Sequence, residues 1–262
     1  MTASDAKAPL SGAVDPGQLP ANRGLGVLAF GDSITNGGGE LQWGVALQSW
    51  ALWAARGLGL PFTGCAVDGA TVRDVVASQI PAFVARSPAG ARYQLGCLYI
   101  GVNDVRLVDW DPAAFEARFR SALQFLRERC DRVLTMTAPL DLGRPRAGAK
   151  VGDLDAVILR VAETSGALVV DLRSWGARNF VMTDHVHPTA FGQVDIAERA
   201  LTVLARDGMR ITVAPSSLIA YSPSRRQRLR GDWTYAYRHA KMTARSLGIQ
   251  LVLRARRGAG SS

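Results

Sequence analysis

Five short apolar runs punctuate the chain: Gly26–Phe30, Phe62–Val67, Gln94–Ile100, Arg132–Ala138 and Ala167–Leu172. Each is rich in Val, Leu, Ile, Phe or Cys and nearly continuous in its apolarity, as expected of strands covered on both faces in a parallel sheet. Between them apolar residues recur at helical spacing. Trp43, Leu47, Trp50 and Ala54 do so first, then Phe115, Phe119, Ala122, Phe125 and Leu126, then Leu154, Val157, Ile158 and Val161. A last core helix is predicted from about Thr189 to Arg206, with Ile196, Ala200, Val203 and Leu204 as its stripe. Alternation of strand and helix predicts an α/β fold, an open doubly wound sheet with helices on both faces and right-handed crossovers.

In such sheets ligands bind beyond the carboxyl ends of the strands, near the point where strand order reverses. The residues that carry chemistry fall there. Ser33, within Phe30-Gly31-Asp32-Ser33-Ile34-Thr35, follows the first run; Gly69 follows the second; Asn103, within Gly101-Val102-Asn103-Asp104, follows the third. Asp184-His185-Val186-His187-Pro188 lies in the long loop after the fifth. A serine hydroxyl is a weak nucleophile at neutral pH and needs a base within hydrogen-bond reach. His187 stands three residues past Asp184, a spacing that lets the carboxylate fold back onto Nδ1–H and fix the tautomer. His185 adjoins Asp184 and is expected to point away, and His239 belongs to a basic tail. Asp32 and Asp104 are read as ordering their loops through backbone hydrogen bonds. Taken singly, Gly-Asp-Ser or a lone glycine says little. Four blocks in this order at these strand ends point to one common site.

On those four blocks the sequence resembles the SGNH hydrolases, the GDSL-like esterase/lipase family, from about Gly26 to Arg206. The resemblance implies a three-layer α/β/α sheet of five parallel strands, flavodoxin-like, with no metal and no organic cofactor. It also implies a serine ester hydrolase. Ser33 would attack an ester carbonyl, His187 held by Asp184 would take its proton, and the Ser33 and Gly69 N–H groups with the Asn103 amide would receive the oxyanion. Where the family often has Asn shortly before the second-block glycine, this chain has Ala66-Val67-Asp68. An acyltransferase working through the same residues is the alternative chemistry. A non-catalytic module localised by its tail is the alternative class.

Composition places the chain among globular proteins: 48% hydrophobic and 20% charged over 262 residues. No apolar stretch reaches the length needed to cross a bilayer. Residues 1–22 lack the basic start and apolar middle of a secretory signal and are expected to be a flexible leader on a cytoplasmic protein. Cys65, Cys97 and Cys130 form no metal-like or redox pattern and read as reduced thiols. The net charge of +9 is uneven: residues 209–262 hold 11 of the 31 Lys/Arg but one of the 22 acids. The chain therefore divides into the leader, a near-neutral hydrolase domain at 23–208 and a basic C-terminal extension at 209–262.

Within the extension, Met209–Pro223 reads as a linker. Beyond it Trp233, Tyr237, Ala240, Ala244 and Leu247 align on one helical face, with Arg238, Lys241 and Arg245 beside them. Such a helix fits an anionic membrane surface or nucleic acid, or packs back on the hydrolase. The substrate expected is a small acyl ester. Trp43, Trp110 and Trp175 are placed to border a pocket, though Trp43 fits the core stripe better. Arg144, Arg146 and Lys150 sit in the loop after the fourth strand, which reads first as a solvated basic loop and alternatively as a set of charges that would favour an anionic substrate.

Overall fold

The run at Val27–Gly31 forms strand β1, buried at every residue, as a strand covered on both faces must be. It belongs to a computed structural model that describes residues 24–39, 45–142, 146–176, 180–182 and 184–219, and scattered positions from 224 to 244. Among the described residues the sheet has five parallel strands in the order β2-β1-β3-β4-β5. The other four are β2 (Phe62–Gly64), β3 (Tyr93–Tyr99), β4 (Cys130–Met136) and β5 (Leu168–Val170). Val27 pairs with Phe62 on one side and Leu95 on the other, so strand order reverses at β1. Asp32 and Ser33 follow β1 directly, and Asn103 comes four residues after β3.

The connecting helices are α1 (Ser33–Asn36), α2 (Trp50–Leu58), α3 (Val72–Asp74), α4 (Ile80–Val84), α5 (Pro112–Arg129), α6 (Lys150–Ser165) and α7 (Ala190–Arg206). A π-helical turn, Val75–Gln79, joins α3 to α4. Helices α2 and α7 pack together on one face of the sheet, and α5 and α6 pack together on the other. Phe115, Phe119, Ala122 and Leu126 of α5 and Leu154, Val157, Ile158 and Val161 of α6 are buried, as their spacing predicts.

Two local readings differ from the structure. The helical pattern drawn from Trp43 begins only at Trp50, because Ser49 accepts a hydrogen bond from Ala51 N at 3.1 Å and caps the helix there. Leu47 therefore precedes the helix, and Trp43 lies outside the described residues, as does the leader. Met209–Ile219 is not a free linker. Thr212 and Val213 donate backbone hydrogen bonds to Gly57 O at 2.8 and 3.2 Å, and Ser216 N donates to Glu198 at 2.9 Å. Met209, Ile211 and Ile219 pack against the core, which holds this strap on α2 and α7.

Three buried carboxylates tie loops to the sheet edge. Asp32 accepts from Ile34 N at 2.9 Å, Asp104 from Val72 N at 3.1 Å, and Asp155 from Ala138 N at 2.6 Å. Burial pushes their pKa values up from 3.8, to about 7 for Asp32, about 6 for Asp104 and about 7 for Asp155. The folded protein therefore holds protons that the unfolded chain has already lost once the pH passes about 4. Stability from these three groups falls as pH rises from there to about 7. The urea midpoint should thus be higher at about pH 5 than at about pH 8. The single substitution Asp155→Asn should flatten part of that slope.

Candidate active site

Ser33 opens α1 because Asp32, in extended conformation, caps the helix just ahead of it. Gly31 before them has φ +155, and a Cβ there would lie 2.5 Å from the Tyr99 carbonyl oxygen. Only glycine lets β1 turn into α1 while staying that close to β3. Gln79, buried at the end of the π-helical turn, accepts from Gly31 N at 3.2 Å and donates to Gly31 O at 2.8 Å. On the other side Gln193 of α7 donates to Ile34 O at 3.0 Å and Gly38 O at 3.1 Å, and accepts from Trp50 N at 2.8 Å. Two amide side chains thus clamp the Ser33 loop from opposite elements.

Asp184 and His187 sit on one tight turn. His185, with φ 57, supplies the left-handed step that reverses the chain between them. Asp184 Oδ1 accepts from the backbone N–H of Val186 at 2.9 Å and of His187 at 3.0 Å, while Oδ2 meets His187 Nδ1 at 2.7 Å. Below the turn, Met182 N donates to His187 O and Thr189 N to Phe180 O, both at 2.8 Å. His187 Nε2 then lies 2.8 Å from Ser33 Oγ, across 154 residues of sequence. A carboxylate only accepts, so Nδ1 carries the imidazole proton and Nε2 accepts from the Ser33 hydroxyl.

Electrostatics fit this arrangement. The hydrogen bond to Asp184 raises the His187 pKa above 6.5, against the opposing effect of burial. Burial pushes the Asp184 carboxyl up, but its bonds from His187 and the two backbone N–H groups outweigh that and hold it below 3.8.

The other two predicted residues border the same edge. Asn103 Nδ2 donates one hydrogen to Ala70 O at 2.9 Å, which ties the loop after β3 to the loop after β2 and leaves its second amide hydrogen available. Gly69 has φ +75 with open space where a side chain would stand, so the backbone angle, not crowding, calls for glycine. Asp68 accepts from Asn36 Nδ2 at 2.9 Å and links that loop to the end of α1.

Of the tryptophans expected near a pocket, Trp175 is buried, bonded to Asp195 at 2.7 Å and stacked on Phe180. Trp110 packs on Phe115. Among the described residues no group of three or more His, Cys, Asp or Glu is arranged to hold a metal ion. Gln79, Gln193 and Arg106, which lies near the His187–Asp184 pair, escaped the sequence reading. Their partners are 48 and more residues away, or charges set by folding.

Several solved structures share this fold. A variant of an acetyl xylan esterase from Geobacillus stearothermophilus is 22% identical with a TM-score of 0.55, over 71% of this chain and 96% of that one. Another structure of an acetylxylan esterase from that organism gives 22% and 0.53, over 70% and 96%. An alpha/beta hydrolase enzyme from the metagenome of Lake Arreo, Spain, gives 21% and 0.54, over 68% and 94%. At these identities the likeness establishes the fold. A comparison with curated protein sequences finds no significant match. The model of the GDSL-like lipase/acylhydrolase family matches residues 29–194, which include Ser33, Gly69, Asn103, Asp184 and His187. With that match spanning most of the sheet and every block of the site, this chain belongs to the GDSL-like lipase/acylhydrolase family of serine ester hydrolases.

Proposed function

We propose that Ser33, His187 and Asp184 are the catalytic triad of an esterase that cleaves small acyl esters through an acyl-enzyme. The continuous chain of contacts from Ser33 Oγ to His187 Nε2 at 2.8 Å and from Nδ1 to Asp184 at 2.7 Å carries this reading. His187 takes the Ser33 proton as Oγ bonds to the ester carbonyl carbon. The carbonyl oxygen gains charge and is received by the N–H groups of Ser33 and Gly69 and the free amide hydrogen of Asn103. Collapse expels the alcohol, which leaves with the proton from His187, and water activated by the same imidazole releases the acid. The acetyl esters handled by the Geobacillus stearothermophilus enzymes of the same fold support a short acyl group. The three free thiols support a reducing, cytoplasmic setting.

A second reading concerns the basic extension. The described positions from Arg225 to Ala244 are helical, and Leu229, Trp233 and Tyr237 on one face are 63%, 77% and 66% exposed. Arg225, Arg226 and Lys241, also at described helical positions, are exposed. An apolar face with aromatic residues, set in a segment with ten excess positive charges, suits an anionic lipid surface. Leu247 and Arg245 of the sequence pattern lie outside the described residues.

A fluorophosphonate probe should label the wild type and not Ser33→Ala; equal labelling of both would remove Ser33 from the reaction. Asn103→Ala should lower kcat by roughly 10²- to 10³-fold with little change in KM. In the wild type an NMR titration of His187 should give a midpoint above 6.5. The midpoint should move down in Asp184→Asn, and the acid limb of kcat/KM, which needs neutral imidazole, should move the same way. The full-length protein should co-sediment with phosphatidylserine vesicles at low salt and lose this in Trp233→Ala/Tyr237→Ala. Absence of pelleting, or binding to RNA alone, would overturn the membrane reading.

A further inference from the structure

Arg106 ends the 3₁₀ turn Asp104–Arg106, which begins one residue after Asn103, and its N–H donates back to Asn103 O at 3.3 Å. The side chain is half-buried, and its Nε is sealed from solvent with no hydrogen-bond partner among the described residues. No carboxylate among the described residues pairs with it. Asp184, the acid whose charge reaches it, has both oxygens engaged by Val186 and His187. Asp104, two residues earlier, is turned onto Val72 N. Other cations share the neighbourhood. Arg146 stands near enough to repel Arg106, and Lys150 Nζ donates to the carbonyl of Leu107, the next residue, at 2.9 Å. Burial first, and then the Arg146 charge, hold Arg106 below the usual guanidinium range.

A half-buried guanidinium, with Nε sealed from water and unspent and a second cation nearby, is costly to the free protein unless an anion offsets its charge. We propose that Arg106, with Arg146 beside it, forms a subsite for a carboxylate on the alcohol half of the ester, so that the enzyme favours anionic esters over neutral ones. The inference rests on the reading of Ser33 and His187 as nucleophile and base. The side of the substrate follows from that reading. His187 must deliver its proton to the departing alcohol, and Arg106 exerts its field on His187 and Asp184. Arg144, grouped with Arg146 and Lys150 in the sequence, lies outside the described residues.

The rival role for Arg106 is indirect, since its charge lowers the basicity of His187 whatever the substrate. Two esters with the same alcohol skeleton separate these roles: para-acetoxybenzoate, which is anionic, and its neutral methyl ester. Wild-type kcat/KM should favour the anionic ester, through KM, and high salt should erode the preference. In Arg106→Gln the ratio of the two kcat/KM values should fall about ten-fold or more, the size expected for a lost charge-assisted hydrogen bond. Arg106→Lys, which keeps the charge, should recover part of the ratio. An unchanged ratio, with both profiles displaced equally along the pH axis, would overturn the subsite and leave Arg106 as a modulator of His187. A preference for a carboxylate on the acyl half, read with phenyl hemisuccinate against phenyl butyrate, would overturn its placement. Turnover of the methyl ester that survives in Ser33→Ala would instead overturn the catalytic reading itself. The thermal midpoint of each variant guards against a folding defect.

Discussion

The site depends on one registration: a hydroxyl at the end of β1 must sit within hydrogen-bond length of an imidazole 154 residues later. Gln193 enforces it. Six residues past His187 and fully buried on α7, its amide holds Ile34 O, Gly38 O and Trp50 N together. The helix that follows His187 is thereby fastened to the loop that carries Ser33. Buried amides are costly unless satisfied, and here both ends of the side chain are bonded. Thr189, which caps α7 through Gly192 N at 3.1 Å, sets where that helix starts and hence how far Gln193 stands from His187.

Charge around the site is arranged by burial. Asp32, directly before Ser33, has its pKa pushed up to about 7 by burial, so near neutral pH it orders α1 while carrying only part of a second negative charge beside His187. Asp184, ringed by three N–H donors, stays ionised. Two acids at one sheet edge thus have pKa values displaced in opposite directions. The difference comes from how many donors face each of them against how much water each has lost.

Much of this architecture is legible in the sequence for a physical reason. A parallel strand buried on both faces must be apolar throughout, so β1, β3 and β4 stand out as continuous runs. The five candidate residues stand out together because the fold gathers the ends of its strands at one rim, so Ser33, Gly69 and Asn103 share a position relative to three different runs. What was not legible is what lacks a local pattern. Gln79 and Gln193 are ordinary polar residues until folding sets them against Gly31 and Ile34. The π-helical turn leaves no periodic trace in five residues. Trp50 begins its helix at Ser49, a cap that the wider stripe from Trp43 conceals. The strap from Met209 to Ile219 reads as a connector because its few apolar residues follow no helical period, although packing uses them.

The turn from Asp184 to His187 is closed on itself by three hydrogen bonds and anchored by an antiparallel bridge between Val181 and Pro188. The proposed acid and base therefore form a preassembled cartridge, and any excursion of this loop carries both together. Such a movement lengthens the gap to Ser33 while the imidazole keeps its tautomer and its partner. Under the proposed mechanism, activation of the hydroxyl becomes a matter of docking one rigid piece against the end of β1, with no need to rebuild the base on each return.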